Sequence, residues 1–159
     1  MVPFPVDLST IDSRLQPGID QDESLLRSLS IRNIVLIEEA DIDFEDGLCV
    51  LTGETGSGKS ILLDALMLAL GVRSSSRLLR DGKKSGSVTA LFDISRSQRC
   101  QELLGQLGIE SDGDIILRRI LTEDGKSRAF VNDVMVGQSF LNTFGAELVE
   151  LHGQHDQRG

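Results

Sequence analysis

Eight residues about a third of the way along the chain, Gly53-Glu54-Thr55-Gly56-Ser57-Gly58-Lys59-Ser60, fit the spacing GxxxxGK[ST] at every required position. Each residue type answers a need of a bound triphosphate. Glycines let successive backbone N–H groups turn inward and cradle phosphate oxygens with no Cβ in the way. A helix opening at Lys59 adds unpaired N–H donors and the positive end of its dipole. The Lys59 ammonium is then expected to reach the β- and γ-phosphates, and the Ser60 hydroxyl to ligate Mg²⁺. Average residue frequencies make a chance match in a chain of this length roughly a one-in-two-hundred event. ATP with Mg²⁺ is therefore the expected ligand.

Other candidates for chemistry are weaker. Cys49 and Cys100 stand apart with no CxxC spacing, and buried reduced thiols are the simpler reading. His152 and His155 have the spacing of a weak metal pair but no third ligand. The basic run Arg73, Arg77, Arg80, Lys83 and Lys84 could touch phosphate, although a solvated connector accounts for most of it. Hydrolysis needs an acid that polarises water, usually an Asp-Glu pair after four apolar residues. Thr89-Ala90-Leu91-Phe92-Asp93 comes nearest, but Ile94 follows where Glu is required, so it reads as an ordinary strand. Binding without turnover is the expectation for this chain.

The elements that must position the loop can be read around it. Residues 1–24 hold all three prolines and no periodicity, and are expected to be a flexible leader. The domain is expected from Leu25 to Gly159. Leu29 to Ile37 reads as a strand interrupted at Arg32-Asn33. Ala40, Ile42 and Phe44 alternate with acids as a half-exposed strand. Glu45-Asp46-Gly47 reads as a turn, and Leu48–Leu51 as a short buried strand feeding the glycine-rich loop. A helix is expected from Lys59 to Leu70, stopping at Gly71. Then follow a connector to Gly86, a strand over Val88–Ile94 and a helix over Gln98–Leu107 ended by Gly108. Ile115–Leu121 and Arg128–Val131 flank a glycine-containing turn and predict a hairpin. Asn132-Asp133 is a turn before Val134–Val136, Gln138–Phe144 a short helix, and Leu148–Leu151 a strand.

Composition excludes several function classes. The net charge of −9 falls mainly on residues 1–50, which hold eleven acids and three bases. Trp and Tyr are absent, so an aromatic platform for stacking bases is missing. Direct DNA binding by this chain alone is disfavoured. No run approaches the roughly 20 apolar residues that span a membrane, and no secretory signal is legible at the N-terminus. A cytoplasmic location is expected, with no membrane partner.

With the P-loop placed, its surroundings resemble a known family. Leu29-Ser-Ile-Arg-Asn-Ile-Val-Leu-Ile37 and the stretch from Phe44 through the P-loop to Leu66 are similar to the opening of the RecN family of bacterial DNA repair proteins. These are SMC-like members of the ABC ATPase superfamily. Leu79-Arg80-Asp81-Gly82, Gly125–Asn132 and Leu148-Val-Glu-Leu-His-Gly-Gln-His155 agree with it, so the resemblance covers about residues 26–158. It implies an α/β fold: a P-loop NTPase of ABC/SMC-head type, of which this is the first lobe, a mixed sheet with an antiparallel β subdomain. It further implies Gln154 as a Q-loop glutamine that helps hold Mg²⁺ and senses the γ-phosphate, and Arg80 as an arginine near the nucleotide.

The partners implied are a coiled coil and a C-terminal lobe of the same protein, a second head in a head-to-head homodimer, and DNA through the full-length protein, which is nucleoid-associated. An LSGG-type signature, a switch histidine and the Asp-Glu strand are not in this chain. Two other readings compete. A small P-loop kinase acting on a metabolite would need an Arg-rich lid, which Arg118-Arg119 within a strand-like run does not resemble. A non-catalytic module would use ATP only for order.

Overall fold

The computed structural model describes residues 23–48, 57–73 and 76–148. Six strands form one sheet, β1 (Glu23–Ile34), β2 (Ile37–Leu48), β3 (Ser85–Arg96), β4 (Asp114–Thr122), β5 (Ser127–Val131) and β6 (Val134–Val136), in the order β2-β1-β3-β4-β5-β6. Every pairing in it is antiparallel. Among the described residues three α-helices, α1 (Ser57–Ala69), α2 (Gln98–Gln106) and α3 (Gln138–Leu148), and a short 3-10 helix, Ser76–Leu78, accompany it. The antiparallel part of the expected sheet is thus on the page, and the strand expected at Leu48–Leu51 lies outside the described residues after Leu48.

Alternation decides which face of the sheet is covered. Along β3 the buried positions are Val88, Ala90, Phe92 and Ile94, and along β4 they are Ile115, Leu117, Arg119 and Leu121. A period of two puts each set on one face. The apolar ones among them join Ile61, Ala65 and Leu68 of α1, Leu104 of α2, and Leu141 and Phe144 of α3 in a single core. Ser97 caps α2 through its hydroxyl, which accepts from the Cys100 N–H at 3.2 Å. Gly108, at φ 72°, follows the end of the helix.

Several boundaries differ from the sequence reading. The interruption expected at Arg32-Asn33 is one left-handed residue, Asn33 at φ 55°, in a strand that continues to Ile34. The true turn is Val35-Leu36, with Val35 at φ 52° and its N–H donating to the Leu78 carbonyl at 2.7 Å. Glu45-Asp46-Gly47 is no free turn. Pairing jumps from Leu26↔Leu48 to Ser28↔Asp43, so the extra residues of β2 are absorbed as an irregularity within the strand pair. Helix α3 runs on to Leu148, which ends a helix instead of opening a strand. Its final carbonyl accepts from the Ser24 hydroxyl. Of the expected leader, residues 1–22 lie outside the described residues, and the last two open β1.

Candidate functional site

Helix α1 begins at Ser57, so Ser57, Gly58, Lys59 and Ser60 form its first turn. The first four N–H groups of a helix have no acceptor within it. The P-loop's last four residues therefore put backbone donors at the positive end of a helix, as a bound phosphate requires. Gly53, Glu54, Thr55 and Gly56 lie outside the described residues, as does Gln154. What holds α1 in place is its apolar face: Ile61, Leu62, Ala65, Leu66, Leu68 and Ala69 are all buried, while Leu63 and Asp64 are exposed.

The other end of α1 is tied down from three directions. Gly71 takes φ 98°, its N–H reaches the Leu68 carbonyl at 3.2 Å, and the Val72 N–H reaches the Met67 carbonyl at 3.1 Å. This is a Schellman ending, which a glycine in the left-handed region makes possible. From the sheet, Arg119 Nη1 donates to the carbonyls of Leu68 at 2.8 Å and Val72 at 3.0 Å. Its Nε and Nη2 donate to the Ser127 hydroxyl at 3.3 and 3.2 Å. From α3, Asn142 Nδ2 donates to the Gly71 carbonyl at 3.1 Å and Gln138 Nε2 to the same oxygen at 3.4 Å. The helices meet so closely that a Cβ on Gly145 would stand 2.1 Å from the Leu70 carbonyl oxygen.

Arg119 is the residue that sequence reasoning missed. It is fully buried, and its row across the sheet is Ala40, Ile31, Val88, Arg119, Ala129 and Val136. Among the described residues its partners are carbonyls and a hydroxyl, none of them charged, and burial lowers its guanidinium pKa from the ordinary value. The signal was available, because Arg119 falls in phase with Ile115, Leu117 and Leu121, where an apolar side chain is the rule. Arg118, one residue earlier, faces the other way, with its guanidinium over the Phe130 ring at 4.9 Å.

Arg80 lies beside the β1–β2 hairpin tip. Its N–H donates to the Asn33 carbonyl at 3.0 Å and its Nη1 to the Leu36 carbonyl at 2.8 Å. Arg73, at the start of the basic connector, lines a cavity of about 720 Å³ with Lys126, Arg128 and Gln138. Asp93 is bonded within the protein: Arg27 Nη2 donates to it at 3.0 Å, and the Ser95 hydroxyl and N–H at 2.6 and 2.9 Å. Burial pushes its carboxyl up, but the bonds from Ser95 and Arg27 outweigh that and hold it below the ordinary value of 3.8. Cys100 is buried. Among the described residues no cluster of three or more His, Cys, Asp or Glu could hold a metal, and no helix is long and apolar enough to cross a membrane.

A family model described as an AAA domain matches residues 28–150. Among curated proteins, the DNA repair protein RecN of Halalkalibacterium halodurans is 41% identical over 135 residues, which are 84% of this chain and 24% of that protein. RecN of Bacillus subtilis is likewise 41% identical over 135 residues, 84% of this chain and 23% of its own length. RecN of Vibrio cholerae is 38% identical over 131 residues, 82% of this chain and 24% of its own. The chain thus spans about a quarter of the length of these relatives. Among solved structures, an Smc head domain from Pyrococcus furiosus with an extended coiled coil, bound to the C-terminal domain of ScpA, superposes with a TM-score of 0.58 at 21% identity. That match covers 78% of this chain and 33% of the Smc chain. The recombination mediator protein RecF with ATPrS gives 0.56 at 18% identity, over 76% of this chain and 30% of that one. At such identities the likeness is one of fold.

Proposed function

The chain belongs to the AAA domain family, is RecN-like and has an SMC/ABC-type head fold, and from that premise we propose that it is the ATP-binding first lobe of a protein acting in DNA double-strand break repair and recombination. The observation that supports this most is the start of α1 at Ser57, which sets the last four P-loop residues as the first turn of a helix. In this reading the backbone of Gly53, Glu54, Thr55, Gly56, Ser57 and Gly58 cradles the phosphates and Lys59 neutralises the β- and γ-phosphates. Ser60 holds Mg²⁺, with Gln154 as a second contact to the metal. Arg80 stands by for the nucleotide. The bound cation supplies charge neutralisation at the phosphates. The start of α1 at Ser57 supports that arrangement, because the N–H donors of a helix's first turn favour an anion.

Within the same proposal, a C-terminal lobe and coiled coil of the same protein complete the head, a second head closes on it, and DNA is engaged by the assembled protein. Residues 1–22, ahead of the two that open β1, act as a leader. This chain binds ATP more readily than it turns it over, since Asp93 is held by Arg27 and Ser95. The kinase alternative gains nothing from the structure: Arg119 is in the core and Arg118 lies on Phe130, so neither forms a lid. With no Trp or Tyr to report binding, the test is calorimetric titration of Mg²⁺-ATP into the wild type and Lys59→Ala. The wild type binds and the variant loses at least about tenfold in affinity, equivalent to about 1.4 kcal/mol. Equal affinities would remove the P-loop assignment.

A further inference from the structure

The buried guanidinium of Arg119 calls for an account. Placing a charge in a core without a carboxylate costs several kcal/mol unless other groups compensate. Here compensation comes from the C-terminal end of a helix, whose carbonyls carry the negative end of the dipole. Leu68 and Val72 lie in the last turn of α1 and just beyond it, and one nitrogen of Arg119 serves both. The rest of the planar fork is fixed by Ser127 on β5. An apolar residue would fill the same core position, as Leu117 and Leu121 do on the same strand, but it could not hold the helix end by its carbonyls. The arginine adds a grip with direction.

Direction matters because of what lies at the other end. Helix α1 has 13 residues, so it is about 20 Å long, and a tilt of about 3° about one end moves the other by about 1 Å. A displacement of that size is enough to spoil a phosphate cradle. The same helix end is where α3 docks, through Asn142 and Gln138 on Gly71 and through the close approach of Gly145 to Leu70. α3 leads in sequence toward Gln154. The segment bearing Lys59 and Ser60 and the one leading to Gln154 are therefore joined at this point.

We propose that Arg119 is a positioning residue for the nucleotide site: by clamping the C-terminal end of α1 to β4 and β5, it sets the place at which the first turn, Ser57–Ser60, meets phosphate. The proposal rests on the reading of that turn as an ATP site. The test uses the 159-residue chain as wild type, Lys59→Ala, Arg119→Met, Arg119→Lys and Ser127→Ala. Thermal melts first fix a temperature at which each variant is folded. At that temperature Mg²⁺-ATP affinity is measured by calorimetry and backbone hydrogen exchange by mass spectrometry.

Arg119→Met is expected to lose about tenfold in affinity while folded, and to exchange faster at residues 57–62. Arg119→Lys, which keeps donors for the carbonyls but not the fork on Ser127, recovers most of both. Ser127→Ala, a small truncation that leaves the core filled, loses about two- to threefold and serves if Arg119→Met does not fold. A lower melting temperature with wild-type affinity and wild-type exchange at residues 57–62 would make Arg119 a stabiliser only, and overturn the proposal. If the wild type itself fails to bind, the nucleotide reading falls. Exchange at residues 57–62 in the variants then decides separately whether Arg119 sets that turn.

Discussion

The two ends of α1 are built on opposite principles. Its first turn offers backbone donors that the helix cannot satisfy and that the sequence motif reserves for an anion. Its last turn has carbonyl after carbonyl occupied: by the Gly71 and Val72 N–H groups, by Arg119 from the sheet, and by Asn142 and Gln138 from α3. A helix fixed at both ends by protein would have nothing left for a ligand, and one fixed at neither could not present its donors in a constant place. Rigidity is concentrated where the ligand is not. That division is how a scaffold preorganises a site without filling it.

Changes at the fixed end should therefore show up first as stability. The largest effect is expected from Gly145→Ala, because the added methyl meets the Leu70 backbone oxygen at 2.1 Å and neither helix can yield without breaking the junction. A loss of about 2–3 kcal/mol is expected, on the order of 5–10 °C in melting temperature. A change of under about 2 °C by calorimetry would mean that α3 docks more loosely than described. Asn142→Ala removes one donor from the Gly71 carbonyl while leaving Gln138 in place, and about 1 kcal/mol is expected in urea titrations. Together with Gly145→Ala the loss should be less than additive, since both act on one contact.

The smallest effect is expected at Asp93, whose bonds from Arg27 and Ser95 are not part of the α1 junction, and serves as the contrast. Folding lowers the Asp93 carboxyl below its ordinary value of 3.8, against the pull of burial, through Ser95 and Arg27. The folded state thus takes up the proton less readily than the unfolded chain. The stabilisation is complete above the ordinary carboxylate value and is lost as pH falls through the lowered one. Asp93→Asn should cost about 0.5–1 kcal/mol at pH 7, and the gap to wild type should shrink as pH is taken below about 4 in denaturant titrations. A gap that stays constant with pH would mean the Ser95 and Arg27 contacts act through geometry and not charge.

Much of this was legible in the residues. The glycines at 71 and 108 mark the ends of α1 and α2, and alternation marks β3 and β4 to within a few residues. The β4–β5 hairpin follows from Thr122–Lys126, whose turn closes through the Gly125 N–H to the Thr122 carbonyl at 2.9 Å. What escaped was tertiary. Val35 takes a left-handed φ that a β-branched residue seldom adopts, because the Leu78 carbonyl and Arg80 engage the hairpin tip from a distant segment. The irregular pairing at Leu26–Ser28 absorbs Glu45-Asp46-Gly47, which local propensity reads as a turn. The helical signal of α3 fades after Phe144 in sequence, yet packing of Leu148 into the core carries the helix on. Arg119 had the phase of a core residue and the chemistry of a surface one. Only the carbonyls of α1, some fifty residues earlier in sequence, reconcile the two.

The contrast between the two ends of α1 can be tested in one experiment, backbone hydrogen exchange of the wild-type chain with and without Mg²⁺-ATP. The account predicts that amides of residues 68–72 are protected before nucleotide is added and change little, while those of residues 57–61 exchange fast alone and become protected on binding. Protection by Mg²⁺-ATP that appears at residues 68–72 and not at 57–61 would contradict it.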